Sequence, residues 1–562
     1  MTCLLRAGTY RETVTVKNDG RSGEPIVFAP ATGEVAIVSG ADVIGGWSVW
    51  KGSIYRATAP LPVNGYADEG FAANQVFVNG VAMTEARWPN TGVDPLTPTL
   101  KGCCVNTDAG DPLKVRITAS DVPVLGAAWA GATVWANEWY TTRTGTVSGG
   151  VAGDLTGTMK TDYFRNAYWF YLTGKLELLD AEREWHYDGS TGSVYLWAPG
   201  GSVPSGVEVK RRNVAFDLGG HSYVQLKNIS IFAATVTSTS ASHDLVLDGI
   251  DAKYVSHYVT LPPLPAAFRN PLGDNNWSLV SHAHDSGIQL RGTGNTLKNS
   301  RVDGSAGNLV TVEGTRHTIE NNILLTANYA STYAASVYAS GSEHKILRNT
   351  ISGSGRSAIT ALFYSTGSDF QNNEIAYNDI SRFGALSSDL GAIYVCCSVN
   401  LQGTRIHHNR IHSPFGYSYW WDVAGIYTDN DSYNVTVDHN VIYNMDVHFP
   451  KAAKISTKYT ASELIYNNVF LAPFELASGD NRYTVRNNIF RQTAGGTGPG
   501  VSNNLFSDVD PLFVAPAGFD YRLGTGSPAI GGGVPVSGIE TGRDVGAYPS
   551  GAPAWTAGAS RP

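Results

Sequence analysis

The sequence predicts an all-β chain wound as a right-handed parallel β-helix, a solenoid of stacked coils, with an inserted β domain near its start and a cap at its end. Three observations lead there. Charged residues are 16% of the 562 and glycines number 62, against roughly 25% charged residues in an average soluble domain, which argues against coiled coils and helical bundles. Runs such as TVTVKN and VEVKRRNVAFDL alternate with the two-residue period of a strand. In the second half, the pattern of Asn, one residue, then Ile or Val recurs at Asn321, Asn349, Asn373, Asn409, Asn440, Asn467 and Asn487, with looser copies at Asn299 and Asn503.

Each period carries two or three short β-branched runs broken by Gly, Ser and Asn, with no helical periodicity between them. Periods of roughly 20 to 50 residues mark stacked repeats, and leucine-rich, ankyrin or tetratricopeptide arrays would bring helices or signatures that are missing. In the remaining reading each period is one coil of about three strands, so that identical positions stack about 4.8 Å apart. Inward Ile and Val then form the core, while Asn side chains at a turn hydrogen-bond along the column.

Taken in order, residues 1–45 read as opening coils. Residues 46–210 lose the repeat but hold Trp129, Trp135, Trp139, Trp169, Trp185 and Trp197, which suits a compact inserted β domain with a tryptophan-rich core. The coils resume over 211–505 and carry the candidate site. The Gly- and Pro-rich stretch 506–562 reads as the cap that an exposed coil end needs.

Composition also excludes partners. No 18-residue apolar run exists, so no membrane-spanning helix is expected. With a net charge of −8 and no Lys/Arg-rich segment, a nucleic-acid partner is not expected either. The five cysteines, Cys3, Cys103, Cys104, Cys396 and Cys397, show no C-x-x-C spacing. Their odd number and adjacent pairs suit buried thiols better than a disulfide framework. TCLLRAGTY already reads as a strand with no cleavable apolar leader, as in a mature secreted chain.

The candidate chemistry lies in the longest intervals, Asn373 to Asn409 and Asn409 to Asn440, where residues must leave the coil as loops. SSDLGAIYV places Asp389 before Gly391, and WWDVAGIYT places Asp422 before Gly425, one residue further from its glycine. On adjacent coils the two carboxylates share a corner, and two close carboxylates raise one pKa. Glycosidic cleavage uses such a pair, and a separation near about 5 Å favours retention of configuration. The structural alternative is an Asx turn.

HAHDSGIQL repeats the arrangement with Asp285, beside His282 and His284, and is read as shaping substrate binding. SPFGYSYWWD brings Tyr417, Tyr419, Trp420 and Trp421 before Asp422, as a stacking surface for sugar rings. Asp429 in TDNDSYN is an accessory carboxylate. Its cluster with Asn430 and Asp431 offers Ca²⁺ an oxygen set without the usual loop spacing, so no metal or other cofactor is assigned. Lys451, Lys454 and Lys458 follow in FPKAAKISTKYT; Lys454 would line the groove, or serve as base in a polyuronate lyase or epimerase. A non-catalytic glycan-binding protein is the third reading.

Several strings together carry a resemblance. RAGTYRETV, SGEPIVF, VSGAD, VFVNGVAMTEARWPN, LELLDAEREWHYDGSTGSVYLWAP, SDLGAIY, AGIYTDN, FDYRL, GSPAI and DVGAYP resemble secreted bacterial right-handed parallel β-helix carbohydrate-active proteins. The set is most similar to glycoside hydrolase family 141 and, through the insertion, to family 120. The resemblance implies a glycosidase with acidic catalytic groups on the helix face, acting on a plant-type polysaccharide or oligosaccharide such as xylan or fucosylated pectin. It also implies a secreted or periplasmic location; a monomer or small homo-oligomer is expected. Asp389 and Asp422 match the motif-bearing carboxylates; the family 120 pattern pairs an Asp with a Glu, and neither segment here holds a Glu.

Overall fold

The repeat builds three long parallel sheets, of 13, 12 and 8 strands, that wind around one continuous core. The computed structural model describes residues 1–61, 74–108, 110–125, 129–160, 164–261, 286–362, 370–416, 421–430, 432–455, 463–476, 483–492, 500–536 and 542–560. From Ile288 to Phe490 each coil gives one short strand to each sheet, and neighbouring coils pair in parallel register. The inward columns are aliphatic, for instance Ile346, Ile375, Ile406, Val437 and Ile465 in the first sheet and Ile351, Ile380, Ile411, Ile442 and Phe470 in the second. All are essentially fully buried.

Between the first two sheets runs a ladder of asparagines, Asn322, Asn349, Asn378, Asn409, Asn440, Asn468, Asn488 and Asn504, all buried except the half-buried Asn504, each amide donating to the next at 2.9–3.1 Å. Asn409 shows the full pattern. Its Oδ1 accepts from the Asn378 backbone and side chain, and its Nδ2 donates to Asn440 Oδ1 and to the carbonyls of Ile375 and His407. At about 1 kcal/mol net per bond, the ladder fixes coil register as well as stability.

The ladder corrects the sequence reading of the repeat. In the Asn-Asn doublets the second residue is the rung, while Asn321, Asn467 and Asn487 precede it in the left-handed conformation (φ 50–57°), which Asn tolerates better than most residues. Asn373 belongs to another column, where it meets Thr404 and the His344 amide. Counted along the ladder, the two coils of interest each span 31 residues, rather than the unequal lengths read from Asn373.

The N-terminal coils stack directly on those that follow the insertion, because Ile26–Pro30 pairs with Val224–Lys227 and Ala36–Ser39 pairs with Ser230–Phe232. The chain leaves and re-enters through a small sheet in which Val207–Lys210 lies against both Ala41–Val43 and Val76–Val78. The intervening residues form a five-stranded sheet and an eight-stranded sheet around a core containing Trp129, Phe164 and Phe170. Of the insertion's tryptophans, Trp129, Trp135, Trp169 and Trp185 are buried and Trp139 is only half-buried.

After residue 505 the chain packs Tyr521, Ala529 and Val545 against Tyr443, Val469 and Ile489 on the outside of the second sheet. It then runs back along the coils, with Gly558, Ala559 and Ser560 donating to Tyr377, Thr350 and Asn321. Cys103–Cys104 and Cys396–Cys397 are disulfides rather than the expected buried thiols. Positive φ at Cys103, Cys104 and Cys397 turns each adjacent pair so that its sulfurs meet. Cys3 is free and exposed.

Candidate functional site

The outer face of the third sheet gathers the acidic residues. The strands Leu390–Cys396 and Val423–Asp429 pair in parallel with a constant offset, Leu390 opposite Val423 and Cys396 opposite Asp429. Asp389 and Asp422, one position before each strand, are therefore equivalent on adjacent coils, and the Leu390 amide donates to the Asp422 carbonyl. The structure pairs Gly391 with Ala424, not with Gly425, so the one-residue mismatch inferred from the glycines disappears.

Asp389 sits at φ 56°, and its carboxyl is only partly accessible. Burial first, then the charges of Asp429 and Asp422, outweigh Arg356 and Lys454 and raise it to about 6. Asp422 is ion-paired with Lys454 at 2.6 Å. Lys454 also lies 3.8 Å from Glu475 and 5.0 Å above the Tyr427 ring. Burial alone would lower the Lys454 ammonium, but the Asp422 hydrogen bond and the surrounding carboxylates outweigh it and hold the group above its usual range. Asp429, nearly buried, accepts from the Tyr394 hydroxyl at 2.8 Å and from the Asn430 amide at 2.8 Å.

Several partners were not singled out in the sequence. Arg356, fully buried, donates to the Asp389 carbonyl at 2.9 Å and stacks over Tyr333 and Tyr394. Tyr333 and Tyr394 share a 3.1 Å hydroxyl contact, and Tyr427 packs edge-on against Tyr394. The Cys396–Cys397 disulfide lies within the same cluster, with the Asn430 amide 3.6 Å from Cys396 Sγ. A charged residue at the corner one coil before Asp389, in the string SGRSA, was the available signal for Arg356.

The inserted domain closes over this face from the side. A tight turn, Tyr140 N to the Glu138 carbonyl at 2.7 Å, presents Trp139 at φ 58°. Its carbonyl accepts from Ser388 N at 2.8 Å, immediately before Asp389. Trp169 Nε1 donates to the Leu386 carbonyl at 2.9 Å. Between the two parts lies a cleft of about 810 Å³, lined by Trp139, Tyr168, Leu386, Ser388 and Phe415 among others. Trp421 is 49% exposed, and its ring lies 6.4 Å from Trp139 at a 31° tilt.

Of the other sequence candidates, Tyr417, Tyr419, Trp420, His282, His284 and Asp285 lie outside the described residues, as do Asp431 and Lys458. Among the described residues one group has metal-ligating geometry, His407, His408 and Asp438 at the first sheet, with ligand atoms within 4.8 Å of one another. Asp438 already accepts from Nε and Nη2 of Arg405, at 2.6 and 2.5 Å, and meets the His439 ring at 2.8 Å.

The fold class is that of the right-handed parallel β-helices, and the family described as "Right handed beta helix region" matches residues 286–506. No curated protein sequence matches the chain. A solved structure described as "Glycoside hydrolase" superposes with a TM-score of 0.61 at 16% identity, covering 81% of this chain and 88% of that one. XylC in complex with xylose (TM-score 0.36, 12% identity, 90% and 70% covered) and pectate lyase Pel9A (0.30, 12%, 59% and 79%) superpose more loosely. The first of these likenesses is one of fold.

Proposed function

We propose that the chain is a glycoside hydrolase acting on a polysaccharide or oligosaccharide, with Asp389 as general acid and Asp422 as the second carboxylate. The observation that carries this reading is the convergence of Asp389, Asp422 and Asp429 on one outer face, with the Asp389 carboxyl raised to about 6. A carboxyl protonated near neutral pH can give its proton to the leaving glycosidic oxygen. Asp422, ion-paired with Lys454, then attacks the anomeric carbon. Water hydrolyses the glycosyl ester as Asp389 takes a proton back. Adjacent coils repeat at about 4.8 Å, which suits the carboxyl spacing of about 5–5.5 Å in retaining enzymes. Trp421 and Trp139 offer apolar faces to the sugar rings, and Asp429 with its tyrosine partners adds negative charge beside the developing cation.

The lyase or epimerase alternative asks Lys454 to act as base. Its ion pair with Asp422 and its raised pKa keep the ammonium protonated, which favours the hydrolytic reading. The test is release of reducing ends from a panel of xylans, pectins and their oligosaccharides. Activity lost in both Asp389→Asn and Asp422→Asn, with the anomer first formed retained by NMR, is the expected result. Full turnover by both variants, or a rise in absorbance at 235 nm from unsaturated uronate, would reject the assignment.

A further inference from the structure

A second cavity, of about 360 Å³, lies between the inserted domain and the coils that carry Tyr254 and Tyr329. Its volume falls in the range of small-molecule sites, about 300–1,000 Å³. On the insertion side Tyr171 lies nearly parallel to Trp135 and to Trp169, at 11° and 10°, with Arg87 3.7 Å over its ring. Facing them, the His257 ring meets the Tyr329 hydroxyl at 2.8 Å, and that hydroxyl donates to the Ser256 carbonyl.

These groups are partnered; three polar atoms lining the cavity are not. Gln75 Oε1, Trp135 Nε1 and Thr173 Oγ1 are buried without a hydrogen-bond partner, in residues only 2% exposed. Leaving one such atom unpaired costs about 1–3 kcal/mol, so native structures rarely leave three around one void. The set comprises an acceptor, a donor and a hydroxyl that can be either. That mixture matches neighbouring hydroxyl groups on a ligand rather than an ion.

Of the charged residues at the lining, Asp303 is ion-paired with Arg301 at 2.8 Å and Lys253 lies 5.0 Å over the Tyr254 ring. Arg87 is committed to the carbonyls of Pro89 and Thr99, at 3.2 and 2.7 Å, as well as to Tyr171. Burial pushes Glu85 up to about 8 and His257 down to about 3, so both are uncharged near neutral pH. The aromatic surfaces suit the C–H faces and edges of a pyranose.

We propose that this cavity binds a single neutral sugar ring, at a site separate from the carboxylate face and held by Gln75, Trp135 and Thr173. The experiment uses the full chain carrying Asp389→Asn, so that binding is measured without turnover and independently of the catalytic assignment. D-Xylose, D-galactose and L-fucose are titrated singly, with D-glucuronate as the charged control, by tryptophan fluorescence and calorimetry. The expected result is saturable binding of a neutral ring. It should weaken about five-fold or more in Thr173→Val, which keeps the side-chain shape but removes one hydroxyl bond. Trp135→Phe, which removes the indole N–H, should weaken it similarly if the first variant fails to fold. No saturation by any of the three neutral sugars, undiminished binding in the folded cavity variants, or tighter binding of glucuronate would overturn the proposal.

Discussion

Replacing Asp389 with Asn should stabilise the protein at neutral pH while removing its activity. A carboxyl raised from 3.8 to about 6 on folding holds its proton more tightly in the folded chain than in the unfolded one. The folded state is therefore favoured while Asp389 is protonated, and it loses that advantage as the pH rises from about 4 to about 6. The interval corresponds to about 3 kcal/mol, all of it set against the native state above pH 6. Asn has nearly the same shape and never ionises, so the variant escapes this cost. An unfolding entropy of about 2.1 cal/mol/K per residue converts it to a melting temperature about 2–3 °C higher at pH 7.5. The advantage should shrink steadily below pH 6 and vanish near pH 4. Paired thermal melts of the two proteins across this range test the sign and the window, and reducing-end assays on the same samples test the activity. A variant that melts lower than its parent at pH 7.5, or a difference that does not change with pH, would refute the account of the site as a strained carboxylate cluster.

Lys454→Met removes the partner of Asp422 and should lower stability by about 1–2 kcal/mol in urea titrations, with turnover reduced ten-fold or more. Asn409→Ala breaks a rung of the ladder and leaves the amides of Asn378 and Asn440 short of partners. It should cost about 3 kcal/mol or more, read as a shift in the denaturation midpoint. Trp421→Ala, at an exposed ring, should leave the melting temperature within about 1 °C while raising KM on oligosaccharides several-fold; an unchanged KM would remove this ring from the binding surface.

The coil architecture was legible because its two devices are written locally and repeated. A buried column needs Ile or Val at one position of every turn, and a polar stack needs Asn at another. The same repetition blurred the phase. Asn-Asn doublets offer two candidates per coil, and only the backbone shows that the first takes the left-handed turn and the second enters the ladder. Asp389 and Asp422 stood out because each precedes a Gly-containing strand in successive coils, although aligning the glycines displaced the pair by one residue. The approach of Trp139 to Ser388 was not legible. It depends on an inserted domain more than 200 residues upstream folding back onto the coils, and no local pattern encodes that contact. The vicinal disulfides escaped for a related reason, since adjacent cysteines carry no spacing signal and their union depends on a backbone turn.

The insertion is anchored at the small sheet where the chain exits and re-enters, along the coils at Tyr254 and Ser331, and again at Leu386 and Ser388, several coils further on. The stretch of solenoid between those anchors therefore acts as a ruler. Duplicating or deleting one turn there would slide Asp389 past Trp139 by about 4.8 Å and pull the cleft out of alignment. Turns added beyond Asp429 would leave that alignment untouched. Length variation among descendants of this architecture should accordingly accumulate downstream of the acidic face and be purged upstream of it.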